Sequence, residues 1–161
     1  MNITLMAILP GQGFALAATS LVGQALGAGD KRLAQLWVKE INGLCVLVLF
    51  CIGLPMWALP DLILLPFIID PNTLQIARLP LQIVGITVTI EGVKMVYMHA
   101  LVGAGDAHRV TRIALSTQWL FALPLSYLIG PAMGLGLLGI WAVQEIYRAQ
   151  QLVIYLQVWR G

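Results

Sequence analysis

Apolar residues gather in five long runs: Ile3–Ala28, Glu40–Leu59, Leu79–Val102, Val110–Ile129 and Leu135–Val158. Each is close to the ~20 residues that, rising 1.5 Å apiece as a helix, cross the hydrocarbon core of a bilayer. The pattern predicts an all-α fold: a polytopic membrane helix bundle of about five transmembrane helices, forming a single transmembrane domain over residues 1–161. Pro10, Gly11 and Gly13 predict a kink or a broken upper half in the first run. Pro60–Arg78, with Asp61, Pro66, Asp70, Pro71 and Asn72, reads as a loop holding a short apolar surface piece. Gly130-Pro131 makes the last tight connection. The start lacks the basic n-region of a secretory signal peptide, and its apolar stretch runs on to Gly29.

Composition supports lipid as the main solvent. Sixty per cent of the residues are hydrophobic and ten per cent charged, against roughly a quarter charged in a soluble domain. The net charge of +2 is too small and too local for a nucleic-acid surface. Cys45 and Cys51, six apart in one apolar run, read as buried thiols. Lys31, Arg32 and Lys39 lie between the first two runs, Arg109 and Arg112 between the third and fourth, and Arg160 near the end. By the positive-inside rule these ends face the cytoplasm. The chain is therefore expected in a cell (plasma or inner) membrane, with Met1 outside and Gly161 inside. An outside start without a cleavable signal suggests further helices upstream.

One tetrapeptide occurs twice. Gly27-Ala28-Gly29-Asp30 returns as Gly103-Ala104-Gly105-Asp106, each time after an apolar run and before basic residues. Glycine supplies a left-handed C-cap, cations suit both the helix dipole and the cytoplasmic side, and Asp30 and Asp106 can form local turns. GxGD is also the signature of intramembrane aspartyl proteases, which need two carboxylates sharing a proton. Here both aspartates abut cationic loops, and no Tyr-Asp partner motif is present. Two helices ending alike on one side instead suggest repeated units, as in transporters built from internal repeats. No His-Glu-x-x-His, Gly-x-Ser-x-Gly or P-loop occurs, and the two histidines lack metal-ligand spacing. The expectation is a protein without enzyme chemistry, metal or cofactor.

Charges at depth are the candidate chemistry. Glu91 lies near the middle of the third run, where a charge costs about 2.5–3.5 kcal/mol even on a lenient insertion scale. It persists there only facing protein or water, or protonated, and a buried acid of that kind suits ion coupling. The competing reading is a local ion pair with Lys94, one turn along. Glu145 and Arg148 repeat the spacing in the fifth run, with Gln144 beside them. A matched pair allows both to be buried without a ligand. Thr87, Thr89, Tyr97, His99, Gln118 and Trp119 are also at depth, as cavity lining or interhelical contacts. Trp37, Trp57 and Trp159 read as interfacial anchors.

Two stretches carry a family resemblance. GFALAATSLVGQALGAGDKRLAQ (Gly13–Gln35) resembles the second-helix motif, and ALVGAGDAHRVTRIALSTQWLFALPLSYLIGPAMGLGLLGIW (Ala100–Trp141) the end of the C-terminal lobe, of multidrug and toxic compound extrusion (MATE) transporters. The resemblance implies helices eight to twelve of a twelve-helix, two-lobe antiporter, whose N-terminal lobe is the missing partner. It implies export of small cationic or amphipathic organic compounds in exchange for H⁺ or Na⁺. It also implies a coupling acid on the tenth helix, fifteen residues before the Asp of the following turn, which is Glu91. Lys94 departs from that pattern, where a neutral amide is common, and competes with a bound cation. That shifts the expectation from Na⁺ toward H⁺ or a Lys–Glu switch. A lipid-linked saccharide flippase of the same wider superfamily is the alternative, and its cavity should hold more cations.

Overall fold

A computed structural model describes residues 2–60, 64, 71–129 and 136–160, and all its regular elements are helical. They are α1 (Asn2–Gly27), α2 (Lys31–Ala58), α3 (Pro71–Gly103), α4 (Ala107–Thr117), a π-helical turn (Gln118–Ala122), α5 (Leu123–Tyr127) and α6 (Gly136–Arg160). Asp61, Pro66, Asp70 and the Gly130-Pro131 connection lie outside the described residues.

Two helix starts differ from those expected, and one helix continues where a kink or break was expected. The second helix starts at Lys31, because a helix begins at its cap and not where its lipid-facing part begins. Asp30 is that cap, its carboxylate Oδ1 accepting from the Leu33 N–H at 2.9 Å. The third helix starts at Pro71, well inside the segment read as loop; a proline at the first helical turn gives up only an N–H that has no helical partner anyway. α1 runs through Pro10 without a break. Gly11 there packs against Leu49 of α2 and Gly92 of α3, so neighbouring helices hold the segment in place.

The two GAGD copies close α1 and α3 in the same way. Asp30 N–H bonds Ala25 O and Gly29 N–H bonds Leu26 O; Asp106 N–H bonds Leu101 O and Gly105 N–H bonds Val102 O, all at 3.0 Å. This paired pattern is a Schellman motif, and it requires a left-handed residue. Gly29 (φ +80°) and Gly105 (φ +84°) provide it. The copies differ after the turn. Asp106 makes no capping bond, and its Oδ2 lies 3.3 Å from Arg109 Nε instead.

α3 is the hub: it packs against α1, α2, α4 and α6. Along α2 the buried positions Ala34, Val38, Ile41, Cys45, Leu49, Gly53 and Met56 recur every three or four residues and face α1 and α3. The opposite face of α2 is apolar too, with Leu36, Leu44, Leu47, Phe50, Leu54 and Trp57 exposed, as for a helix bordered by lipid or another protein surface. Among the described residues α2 is the one helix long and apolar enough by itself to cross a membrane. Cys51 points outward, correcting its reading as buried: six residues is well short of two full turns, so it cannot share the buried face of Cys45.

Glycines set the spacing of the hub. Gly53 of α2 and Gly85 of α3 face each other, and a Cβ on Gly85 would meet Gly53 O at 2.8 Å and Trp57 N at 2.9 Å. Gly92 lies against Leu49 and Cys45, and Gly103 against the Thr19 backbone. Small residues permit this close packing where the hydrophobic effect does not drive helices together. The Thr19 hydroxyl adds a bond across α1 and α3, donating to His99 O at 3.1 Å. α4 and α5 flank a π turn in which Leu123 N–H reaches back five residues to Gln118 O. Pro124 follows at once; its missing N–H and ring volume disfavour a regular turn there.

Gly85→Val should therefore separate α2 from α3 and cost about 1–3 kcal/mol. Gly43→Ala, at a glycine with open space around it, should be neutral or stabilise by up to about 1 kcal/mol. Unfolding midpoints of the purified protein in detergent check both.

Candidate functional site

Glu91 and Lys94 sit one turn apart on α3, and Glu145 and Arg148 one turn apart on α6. Read separately along the chain they are two local pairs. In space they form one group of four. Lys94 Nζ lies 2.8 Å from Glu91 Oε1, Arg148 Nε 3.6 Å from Glu91 Oε2, and Arg148 Nη1 donates to Glu145 Oε1 at 3.3 Å. Arg148 thus bridges two acids, one on each helix. Glu91 is rotated only about 100° from Gly92, which is pressed against Leu49 and Cys45 of α2. That contact leaves Glu91 facing the α6 side.

The group is largely desolvated, with side-chain exposures of 11% for Lys94, 14% for Glu91, 20% for Glu145 and 27% for Arg148. Two carboxylates and two cations sum to zero, which is how charge is tolerated at depth. Satisfaction is incomplete at one atom. Glu91 Oε2 is buried without a hydrogen bond, since Arg148 at 3.6 Å is close enough to attract it but too far to bond. A further cation placed ~4 Å from either resident nitrogen would be repelled by about 4 kcal/mol at an effective dielectric constant of 20.

The other sequence candidates lie apart. His99 directs Nδ1 to Met95 O at 3.0 Å on its own helix. Tyr97 is half-buried and packs beside Trp159 against both smaller cores. Gln144 is exposed. Among the described residues, none of the three bonds to the four charges. Gly27, Gly29, Asp30, Gly103, Gly105 and Asp106 belong to the helix ends described above, where each aspartate is engaged locally.

Sequence reasoning missed a second polar link. Gln151 is buried and donates through Nε2 to Tyr147 Oη at 2.8 Å and to Thr117 Oγ1 at 3.1 Å, tying α6 to α4. The signal was spacing: Glu145, Arg148, Gln151 and Tyr155 follow one another at three or four residues and so share a face of α6. Tyr155 is fully buried and its hydroxyl has no partner.

The MatE family profile matches residues 1–128. The chain belongs to the MatE family. It is 27% identical over 140 residues to a probable multidrug resistance protein NorM of Thermotoga maritima, covering 87% of this chain and 30% of that protein. It is 28% identical over 141 residues to another of that name from Pseudomonas syringae pv. tomato, covering 84% and 31%. Protein DETOXIFICATION 36 of Arabidopsis thaliana is 25% identical over 141 residues, covering 88% and 28%. This MatE chain therefore spans under a third of the length of these relatives. MatE proteins are helical membrane transporters, which makes this a multi-pass membrane chain and accounts for its apolar outer face.

If the four charges of this MatE chain act as one group, a double-mutant cycle of Glu91→Gln and Arg148→Gln should show non-additive stability, with a coupling of about 0.5–3 kcal/mol. Thermal unfolding in detergent measures it, and additive effects would mean that α3 and α6 carry independent pairs.

Proposed function

We propose that this chain is part of the C-terminal lobe, approximately helices eight to twelve, of a two-lobe exporter of small cationic or amphipathic organic compounds. Export is driven by H⁺ or Na⁺ antiport, and Glu91 is the coupling acid of the lobe. The observation that carries this reading is the position of Glu91: largely buried near the middle of the 33-residue α3, with one oxygen unbonded and a second helix supplying the facing cation. A coupling group must bind and release its ion in response to a neighbouring element, and a carboxylate held between two helices meets that requirement. Membership of the MatE family and the names of the relatives support the export reading.

Five helices supply one wall of a cavity, and alternating access rocks one lobe against another. The N-terminal lobe is accordingly the partner in transport, and the exposed apolar side chains of α2 face lipid or that lobe. The two cations of the cluster are each matched by a carboxylate. No surplus positive charge is left there for a pyrophosphate, which favours drug export over the flippase reading.

In the full-length transporter, Glu91→Gln should fold, because Glu145 still pairs with Arg148 and the amide oxygen of the new side chain can accept from Lys94, although the group is left with a charge of +1. Export of a cationic dye from vesicles under an imposed H⁺ or Na⁺ gradient should fall to the level of vesicles lacking the transporter. Glu91→Gln combined with Lys94→Gln should stay at that level. Wild-type export from the double variant would show Glu91 to be half of a structural pair and overturn the assignment.

A further inference from the structure

We propose that Lys94 and Arg148 select the coupling ion: standing against both oxygens of Glu91, they exclude Na⁺ and leave H⁺ as the ion this site exchanges. The proposal rests on Glu91 being the coupling acid. Its new element is Arg148, contributed by α6 and invisible as a neighbour of Glu91 in the sequence.

A hard cation is held by several oxygen donors arranged around it. The site offers few that are free. Glu91 Oε1 is taken by Lys94 Nζ at 2.8 Å, Glu91 Oε2 faces Arg148 Nε at 3.6 Å, and Glu145 Oε1 accepts from Arg148. A sodium ion sharing either oxygen of Glu91 would sit beside a fixed positive charge in a desolvated place, where little water screens the repulsion. A proton needs no coordination shell. Carrying the same charge as Na⁺, it needs only one unshared lone pair, and Glu91 Oε2, buried and without a hydrogen bond, has it.

The charge balance of the step is simple. A proton delivered from water bonds to Glu91 Oε2, and the attraction between that oxygen and Arg148 is lost. Arg148 keeps Glu145, while Lys94 keeps only a neutral acceptor. The group passes from zero to +1 and then repels a cationic substrate; loss of the proton to water restores zero. The charges facing Glu91 are Lys94 on α3 and Glu145 and Arg148 on α6. α2 contributes the Cys45 thiol next to Gly92, its charged residues lying within its first ten positions, and α1 contains no charged residue. His108, Arg109 and Arg112 are in the first six positions of α4.

The test uses the full-length transporter in proteoliposomes, with dye export driven by a Na⁺ gradient at equal pH or by a pH gradient without Na⁺. Wild type should respond to the pH gradient and ignore Na⁺. Arg148→Gln and Lys94→Gln should each gain Na⁺-driven export about tenfold above the wild-type response, whereas Arg148→Lys, which keeps a cation, should not. Should Arg148→Gln fail to fold, Lys94→Gln and ²²Na⁺ binding to the purified protein decide alone. Na⁺-driven export by wild type that Glu91→Gln abolishes would overturn the selectivity while leaving Glu91 as the coupling acid. Folded Arg148→Gln and Lys94→Gln variants that both ignore Na⁺ would overturn it as well. Wild-type export from Glu91→Gln would remove the coupling role itself, and the selectivity with it.

Discussion

An ionised carboxylate held away from water has to be neutralised locally, and the arrangement around Glu91 follows from that constraint. One cation on its own helix would be enough for a local pair. Here a second comes from α6, and it is shared with Glu145. Among the described residues α6 packs most extensively on α3, with smaller contacts to α4, the π turn and α5, and Trp159 reaches the core of Val22, Ala25, Ala34, Val38 and Ala100. The fastenings of α6 include the charge cluster, the Gln151–Thr117 bond, and the apolar contacts of Leu101 and Val110 with Tyr155. The first responds to protonation and the others do not. A change of charge at Glu91 can therefore loosen one point of the α3–α6 contact while the rest stays packed.

The other side of α3 is built for the opposite property. Gly53 against Gly85, Gly92 against Leu49 and Gly103 against Thr19 bring three helices to distances at which a single added methyl group collides. Close packing of this kind is stiff and has few alternative arrangements. α1, α2 and α3 thus form a rigid unit, and Glu91 sits at its edge, where the rigid side meets the charged side. The unbonded Oε2 belongs to the charged side.

How much of this was legible in the residues depends on the range of the interaction. The helical membrane character and the family could be read from the apolar runs and from the GAGD stretches, because burial in lipid and a Schellman turn are set by local composition and by glycine's access to positive φ. The separate pairs Glu91–Lys94 and Glu145–Arg148 were readable as i, i+3 spacings. Their union was not, since it joins residues more than fifty positions apart and depends on where α6 packs. Helix starts were misplaced for a related reason: hydropathy marks what lipid touches, whereas Asp30 and Pro71 mark where helices begin. Gln151 was passed over because a lone amide in an apolar run carries no signal until the stripe from Glu145 to Tyr155 is drawn on a helix.

The central claim is that Glu91 holds the exchangeable proton. Counting protons released to a weakly buffered solution when a lipophilic cation such as ethidium binds the purified full-length transporter tests it without any gradient. Wild type should release up to about one proton per bound cation, and Glu91→Gln should bind the cation and release none. Equal proton release from the two proteins would contradict the claim and place the exchangeable proton elsewhere.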